Sequence, residues 1–254
     1  MSKFGPASAF VLISGNNLTP HSYTMDEVHE QILEETHSLG DSWEESLPVG
    51  IGRVAFELTG GLYDDAALGP DETFKVGTSP LTPTSTVQLL AIGFEAATPG
   101  KNCRLYNGTY AGTYKRMSAR DGLTKAHALH TITGAALDAK VLHGHGTAET
   151  AASGNTEGAD SVNNGGSSAG GGTADLHVTA LTLGGYTDAT IKVRDSADDI
   201  TYGDFATFTN VSAASASERV TVAGTVEQYA AVSWLFNGAG AGQSINFFVA
   251  LSRG

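Results

Sequence analysis

The chain has 254 residues and sets 14 Lys and Arg against 27 Asp and Glu, for a net charge of −13. Binding nucleic acid by its phosphates needs clustered Lys and Arg, so this balance excludes that class while leaving room for a protein that nucleic acid slides past. A single cysteine, Cys103, excludes an intrachain disulfide framework, and 16 % charged residues with 32 Gly point to a turn-rich, all-β chain.

In chain order, the apolar run Ala7 to Ile13 is too short for a signal core plus cleavage site or for a membrane span, and reads as a first strand from Ala9. No later segment approaches the ~18 apolar residues of a spanning helix, which predicts a chain made in the cytoplasm with no membrane partner. Ser14 to Asn17 is a turn, and Leu18 to Glu27 continues as a strand with Pro20 near its edge.

The next stretch is the most informative. Between Met25 and Ser46 lie Asp26, Glu27, Glu30, Glu34, Glu35, Asp41, Glu44 and Glu45, with no Lys or Arg. Val28, Ile32, Leu33, Leu39 and Trp43 are threaded through it, so it reads as a folded surface with one wet face rather than an acidic tail. A strand is favoured over Glu30 to Leu39, ending at Gly40-Asp41. A helix over Met25 to Leu39 competes, since Val28, Ile32, Thr36 and Leu39 would give it a narrow stripe. Ile51 to Thr59 alternates, with Val54, Phe56 and Leu58 opposite Arg53, Glu57 and Thr59, as a half-buried strand does.

Asp64 to Leu68 reads as a short helix stopped by Gly69-Pro70, and Thr78 to Thr86, with Pro80 and Pro83, as a loop. Val87 to Glu95 is a buried strand. Arg104 to Arg116 is expected to be a hairpin turning at Asn107-Gly108, a strong hairpin signal. Leu123 to Thr133 and Ala136 to His143 complete a first domain, 1–145. Residues 146–173 are Gly/Ser-rich and nearly free of large apolar side chains, which predicts a linker. Residues 174–254 hold about six short alternating strands separated by turn signals, a small antiparallel β-sandwich.

Two ordered series of residues carry a resemblance. GNNLTPHSYTMDEV, then ETHSLGDSWEESLPVGIGRVAFELTGGLYDDAA, is similar to the major tail tube proteins of long-tailed (siphovirus-type) bacteriophages, over residues 9 to about 70 and more weakly to about 145. TIKVRDSADDITYGDFATFTNVSA, ERVTVAGTVEQYAAVSW and FFVALSRG resemble the β-sandwich modules appended to such proteins. The resemblance implies an all-β chain with one short helix: a tail-tube-type β-sandwich or barrel domain with a long inter-subunit hairpin, followed by a small antiparallel sandwich outside the tube.

It further implies a virion structural protein that forms hexameric rings stacked into a tail tube, with tape measure and tail terminator or tip proteins as partners. DNA would pass without specific binding along a lumen lined from Asp26, Glu27, Glu30, Glu34, Glu35 and Glu57. Trp43, Leu47, Phe56, Tyr63 and Phe94 would pack the tube domain. The competing assignment is a capsid decoration or tail-tip adhesin whose sandwich binds host glycan, with Tyr186, Tyr202, Tyr229 and Trp234 as stacking faces.

Catalytic and metal chemistry find little support. His127, His130, His143 and His145 have ligand-like spacing but no acidic or thiol neighbour in sequence. Gly166 to Gly170 matches G-x-S-x-G inside a Gly/Ser tract, without the strand and helix a nucleophile elbow needs. Asp195, Asp198, Asp199 and Asp204 lack a calcium-loop spacing. The sequence therefore predicts no enzyme, no metal and no cofactor.

Overall fold

A computed structural model describes residues 9–21, 24–35, 46–62, 73, 75–76, 79–83, 88–118, 124–132 and 136–254. The protein is all-β, and no helix of seven or more residues occurs among the described residues. Its contacts divide it into two units. One comprises Met1–Thr19, Leu89–Tyr106 and Ala136–Gly254, and the other Pro20–Gln88 and Asn107–Ala135.

The first unit begins with β1 (Phe10–Ile13) and β2 (Asn16–Asn17), joined by a turn at Ser14 and Gly15 and followed by a 3-10 turn at Thr19–His21. The second unit holds β3 (Thr24–Glu35), β4 (Ser46–Leu62) and the short ribbon β5 (Lys75–Val76) with β6 (Ser79–Pro83). The stretch expected to be a loop therefore contains a strand. A two-stranded ribbon accommodates Pro80 and Pro83 because each strand has an edge that needs no N–H donor.

Next come β7 (Gln88–Gly93), β8 (Asn102–Ser118), β9 (Thr124–Ile132) and β10 (Ala136–His143). Asn107-Gly108 does not reverse the chain. β8 runs through it, pairing with β10 up to Tyr106 and with β9 from Thr109. Gly108 keeps the left-handed φ of 78° that the dipeptide favours, but that conformation serves a change of partner rather than a hairpin.

The remaining strands of the first unit are β11 (Ser153–Asn155), β12 (Val162–Asn163), β13 (Gly172–Thr182), β14 (Asp188–Ser196), β15 (Gly203–Thr207), β16 (Ala216–Val222), β17 (Tyr229–Asn237) and β18 (Ser244–Arg253). One sheet runs β16-β13-β18-β10-β8-β7-β1-β2, and a second runs β11-β17-β14-β15 with β12 also on β17. The expected linker thus contributes strands. β11 and β12 have few apolar side chains, but their backbone bonds to β17 supply what composition does not report.

Between the two sheets lies a core that includes Leu176, Val178, Ile191, Val193, Trp234, Phe236, Phe247 and Val249. The run Phe247 to Leu251 is apolar at every position because β18 is buried on both faces. Phe247, Val249 and Leu251 enter this core, while Phe248 and Ala250 enter a second cluster with Phe10, Leu12, Cys103, Leu105 and Val141. The N-terminal strand therefore sits in the same unit as the C-terminal sandwich, where it covers a face that the sandwich leaves apolar. This differs from the division at 145 drawn from composition.

The second face of β13 is polar and buried. Asp175 and His177 are 0 % exposed. Asp175 accepts two bonds of 2.6 Å from the Arg219 guanidinium, its register partner on β16. His177 Nδ1 accepts from the Gly15 N–H at 3.2 Å, tying the first hairpin turn to β13.

Candidate functional site

The acidic stretch resolves as a strand over Thr24–Glu35 rather than the competing helix. It pairs antiparallel with β4, which in turn pairs with β9, and β9 with β8. The second unit therefore holds a four-stranded sheet in the order β3-β4-β9-β8. β3 is an outer strand with β4 as its partner among the described strands, and its 12 residues make an edge about 40 Å long.

Register sorts the positions by parity. Asp26 is opposite Glu57, and Glu30 is opposite Arg53. Glu57 is opposite Leu129, and Thr59 opposite His127. Successive strand positions alternate faces, so Thr24, Asp26, Val28 and Glu30 share a face with Arg53, Ala55, Glu57 and Thr59. The other face carries Met25, Glu27, His29, Val54, Phe56 and Leu58 positions. Across β3 and β4 one parity is thus mainly polar and the other mainly apolar.

Asp26, Glu30 and Glu57 fall on the first and Glu27 on the second, so the register does not place all the candidate lumen carboxylates together. A shift between Gln31 and Leu33, with three β4 residues opposite Ile32 alone, separates Glu34 and Glu35 from that alternation. Pro48 lies where β4 has β3 but not β9 beside it, an edge position of the kind a proline tolerates. Trp43, Tyr63, Asp41, Glu44, Glu45 and the Asp64 to Leu68 helix lie outside the described residues. Phe94 does not pack into a core and is 47 % exposed.

In the first unit the remaining candidates are explained by local structure. His143 Nδ1 lies 3.1 Å from the Phe247 carbonyl and Nε2 lies 3.2 Å from the Glu149 carboxylate, with the ring stacked on Phe247. That glutamate is a partner the sequence reading missed, and no group of three or more metal-ligating side chains occurs among the described residues. Burial lowers the His145 pKa, and burial with the Arg219 and His145 charges lowers His177 to about 3. Burial likewise pushes the Cys103 thiol far up, with the Asp175 and Asp138 charges adding to it, the opposite of an activated nucleophile.

Asp195, Asp198, Asp199 and Asp204 are each engaged by neighbouring groups. Asp198 is held below the ordinary carboxyl range by the backbone N–H groups of Thr201 and Ile200 and by the Ser196 hydroxyl. Asp199 accepts from Ser161 Oγ at 2.6 Å and from the Tyr202 hydroxyl. Asp195 accepts from the Glu227 N–H, and Asp204 pairs with Lys192.

Ser168 donates to the Gly254 carbonyl and pairs its backbone with Val226, and no base is bonded to it among the described residues. Among the proposed stacking residues, Trp234 is core, edge-on to His143 and Phe247, and Tyr186 packs on Phe236.

No protein-family model matches the chain, and no curated protein does. Among solved structures, the bacteriophage SPP1 Dit (gp 19.1) protein, described as a paradigm of hub adsorption apparatus in phages infecting Gram-positive hosts, is similar at 9 % identity, covering 97 % of this chain and 99 % of that one with a TM-score of 0.34. A likeness this distant assigns neither family nor function.

Proposed function

We propose that the chain is a structural, non-enzymatic protein of a phage tail, the subunit of a tube built from rings of copies and located in the virion tail. The carrying observation is the four-stranded sheet of the second unit, whose outer strand β3 brings Asp26 and Glu30 onto one parity with Glu57. The sequence resemblance supplies the tube context.

A long outer strand presents unpaired backbone groups to another chain, and pairing in a closed ring satisfies them without runaway growth. Sheets joined edge to edge would put the polar parity on one side of the wall. That parity also carries Arg53, Lys115 and Lys125, so in this reading phosphates are repelled by the carboxylates toward the β3 edge, where a duplex passes without being held. In this reading Asp26, Glu30 and Glu57 line the bore, while Glu27 shares the parity of Phe56.

Electron microscopy of the purified protein tests this. Rings or tubes are expected, and a Val28→Pro change on the outer strand is expected to abolish them while leaving monomer folded by circular dichroism. Monomer alone under all assembly conditions overturns the proposal.

A further inference from the structure

A groove of about 680 Å³ opens on the first unit, within the ~300–1,000 Å³ range of ligand clefts. Its floor is the pair β8 and β10, where Arg104 is opposite Asp138 and Asn102 is opposite Lys140. These four alternate with Cys103, Leu105, Ala139 and Val141, which belong to the second apolar cluster, so the polar four share the opposite face. Asn164 and Arg253 contribute one side, the guanidinium donating to the carbonyls of Asn164 and Gly166. Half-exposed Phe94 stands among the lining residues just beyond β7.

Arg104, Lys140 and Arg253 come from three adjacent strands and outnumber the two lining carboxylates, Glu95 and Asp138. Both carboxylates are engaged, Glu95 with Lys101 at 3.1 Å and Asp138 with Arg104 at 3.2 Å. The lining is therefore net positive on a chain of net −13. Lys140 makes one long contact of 3.4 Å, to the Asn163 carbonyl, and an ammonium has three donors.

We propose that this groove binds an acidic saccharide, with Lys140 meeting a sugar carboxylate, Asn102, Asn164 and Asp138 meeting hydroxyls, and Phe94 meeting a ring face. A simple anion has no use for Phe94. A phosphate ligand is ordinarily cradled by unspent backbone N–H groups, whereas the floor here is a strand ladder with carboxylates beside it. Sugar hydroxyls, by contrast, both donate and accept, and so match a mixed lining of cations, amides and carboxylates.

The test is calorimetric titration of the full chain with trigalacturonate, maltotriose, inorganic phosphate and AMP, with Lys140→Ala and Phe94→Ala as variants and thermal unfolding as the check on folding. Trigalacturonate is expected to bind, each variant to weaken it about tenfold, and maltotriose to bind at least about tenfold more weakly. Failure of trigalacturonate to bind, binding that either variant leaves unchanged, or equal binding of phosphate or AMP overturns the proposal. Ring assembly is scored separately by microscopy, so the two proposals fail independently.

Discussion

Arg219→Met tests the buried ion pair that joins β13 to β16. The substitution keeps most of the aliphatic stem but strips Asp175, 0 % exposed, of two charge-assisted bonds of 2.6 Å. Each such bond contributes about 1.5–3 kcal/mol, and breaking a buried pair by removing one partner costs about 3–5 kcal/mol, so a loss of about 3–5 kcal/mol at pH 7 is expected. Asp175→Leu combined with Arg219→Met removes both charges and should recover most of that loss.

Urea unfolding followed by Trp234 fluorescence, in a Trp43→Phe background that leaves a single indole, measures this in the unit that contains the pair. The pH dependence has a definite sign. Burial already raises the Asp175 pKa, with Arg219 pulling against it. Without Arg219 it rises further, so the variant's native state takes up a proton that its unfolded state lacks as pH falls toward 4. The deficit should therefore narrow with acidification. His177, which faces the same side and is lowered partly by the Arg219 charge, works in the same direction. A loss under about 1 kcal/mol, or a deficit that widens on acidification, would refute the claim that the pair is desolvated.

Three further outcomes follow from the same unit. Gly15→Ala places a methyl 2.6 Å from the Ala216 carbonyl oxygen at a φ of 83°, and should lower stability by about 1–3 kcal/mol in the same urea assay. His177 is held neutral with a pKa near 3, so it adds stability that is present above about pH 6.5 and is lost as pH falls toward 3. His177→Gln should flatten the stability profile between those limits, read as urea midpoints at pH 7, 5 and 4. Phe247→Ala empties a fully buried site between Trp234 and His143 and should cost about 3–5 kcal/mol, with a red shift of Trp234 emission.

The period of two and the turn residues carried much of the local structure. Ala136 to His143 is a strand with the bounds expected of it. Val54, Phe56 and Leu58 share a parity in the observed ladder just as their spacing implies. Asp198 and Asp199 do sit in a turn, because short carboxylates near backbone N–H groups favour one whatever surrounds them.

Partner choice was not legible, because a strand's alternation states that one face is buried but not which distant strand buries it. Only the tertiary structure set β13 between β16 and β18, made Asp175 the neighbour of Arg219, and brought the Gly15 turn onto His177. The polar stretch after residue 145 looked like a linker because apolar content is silent about backbone pairing, which is what fixes β11 and β12. The groove escaped for the same reason, since Phe94, Arg104, Lys140 and Arg253 are scattered in sequence and meet only once four strands are laid side by side. Likewise the sequence showed where the carboxylates of β3 lie, but pairing with β4 decided that Asp26 and Glu30 share a face with Glu57 and Glu27 does not, because register is a property of two strands.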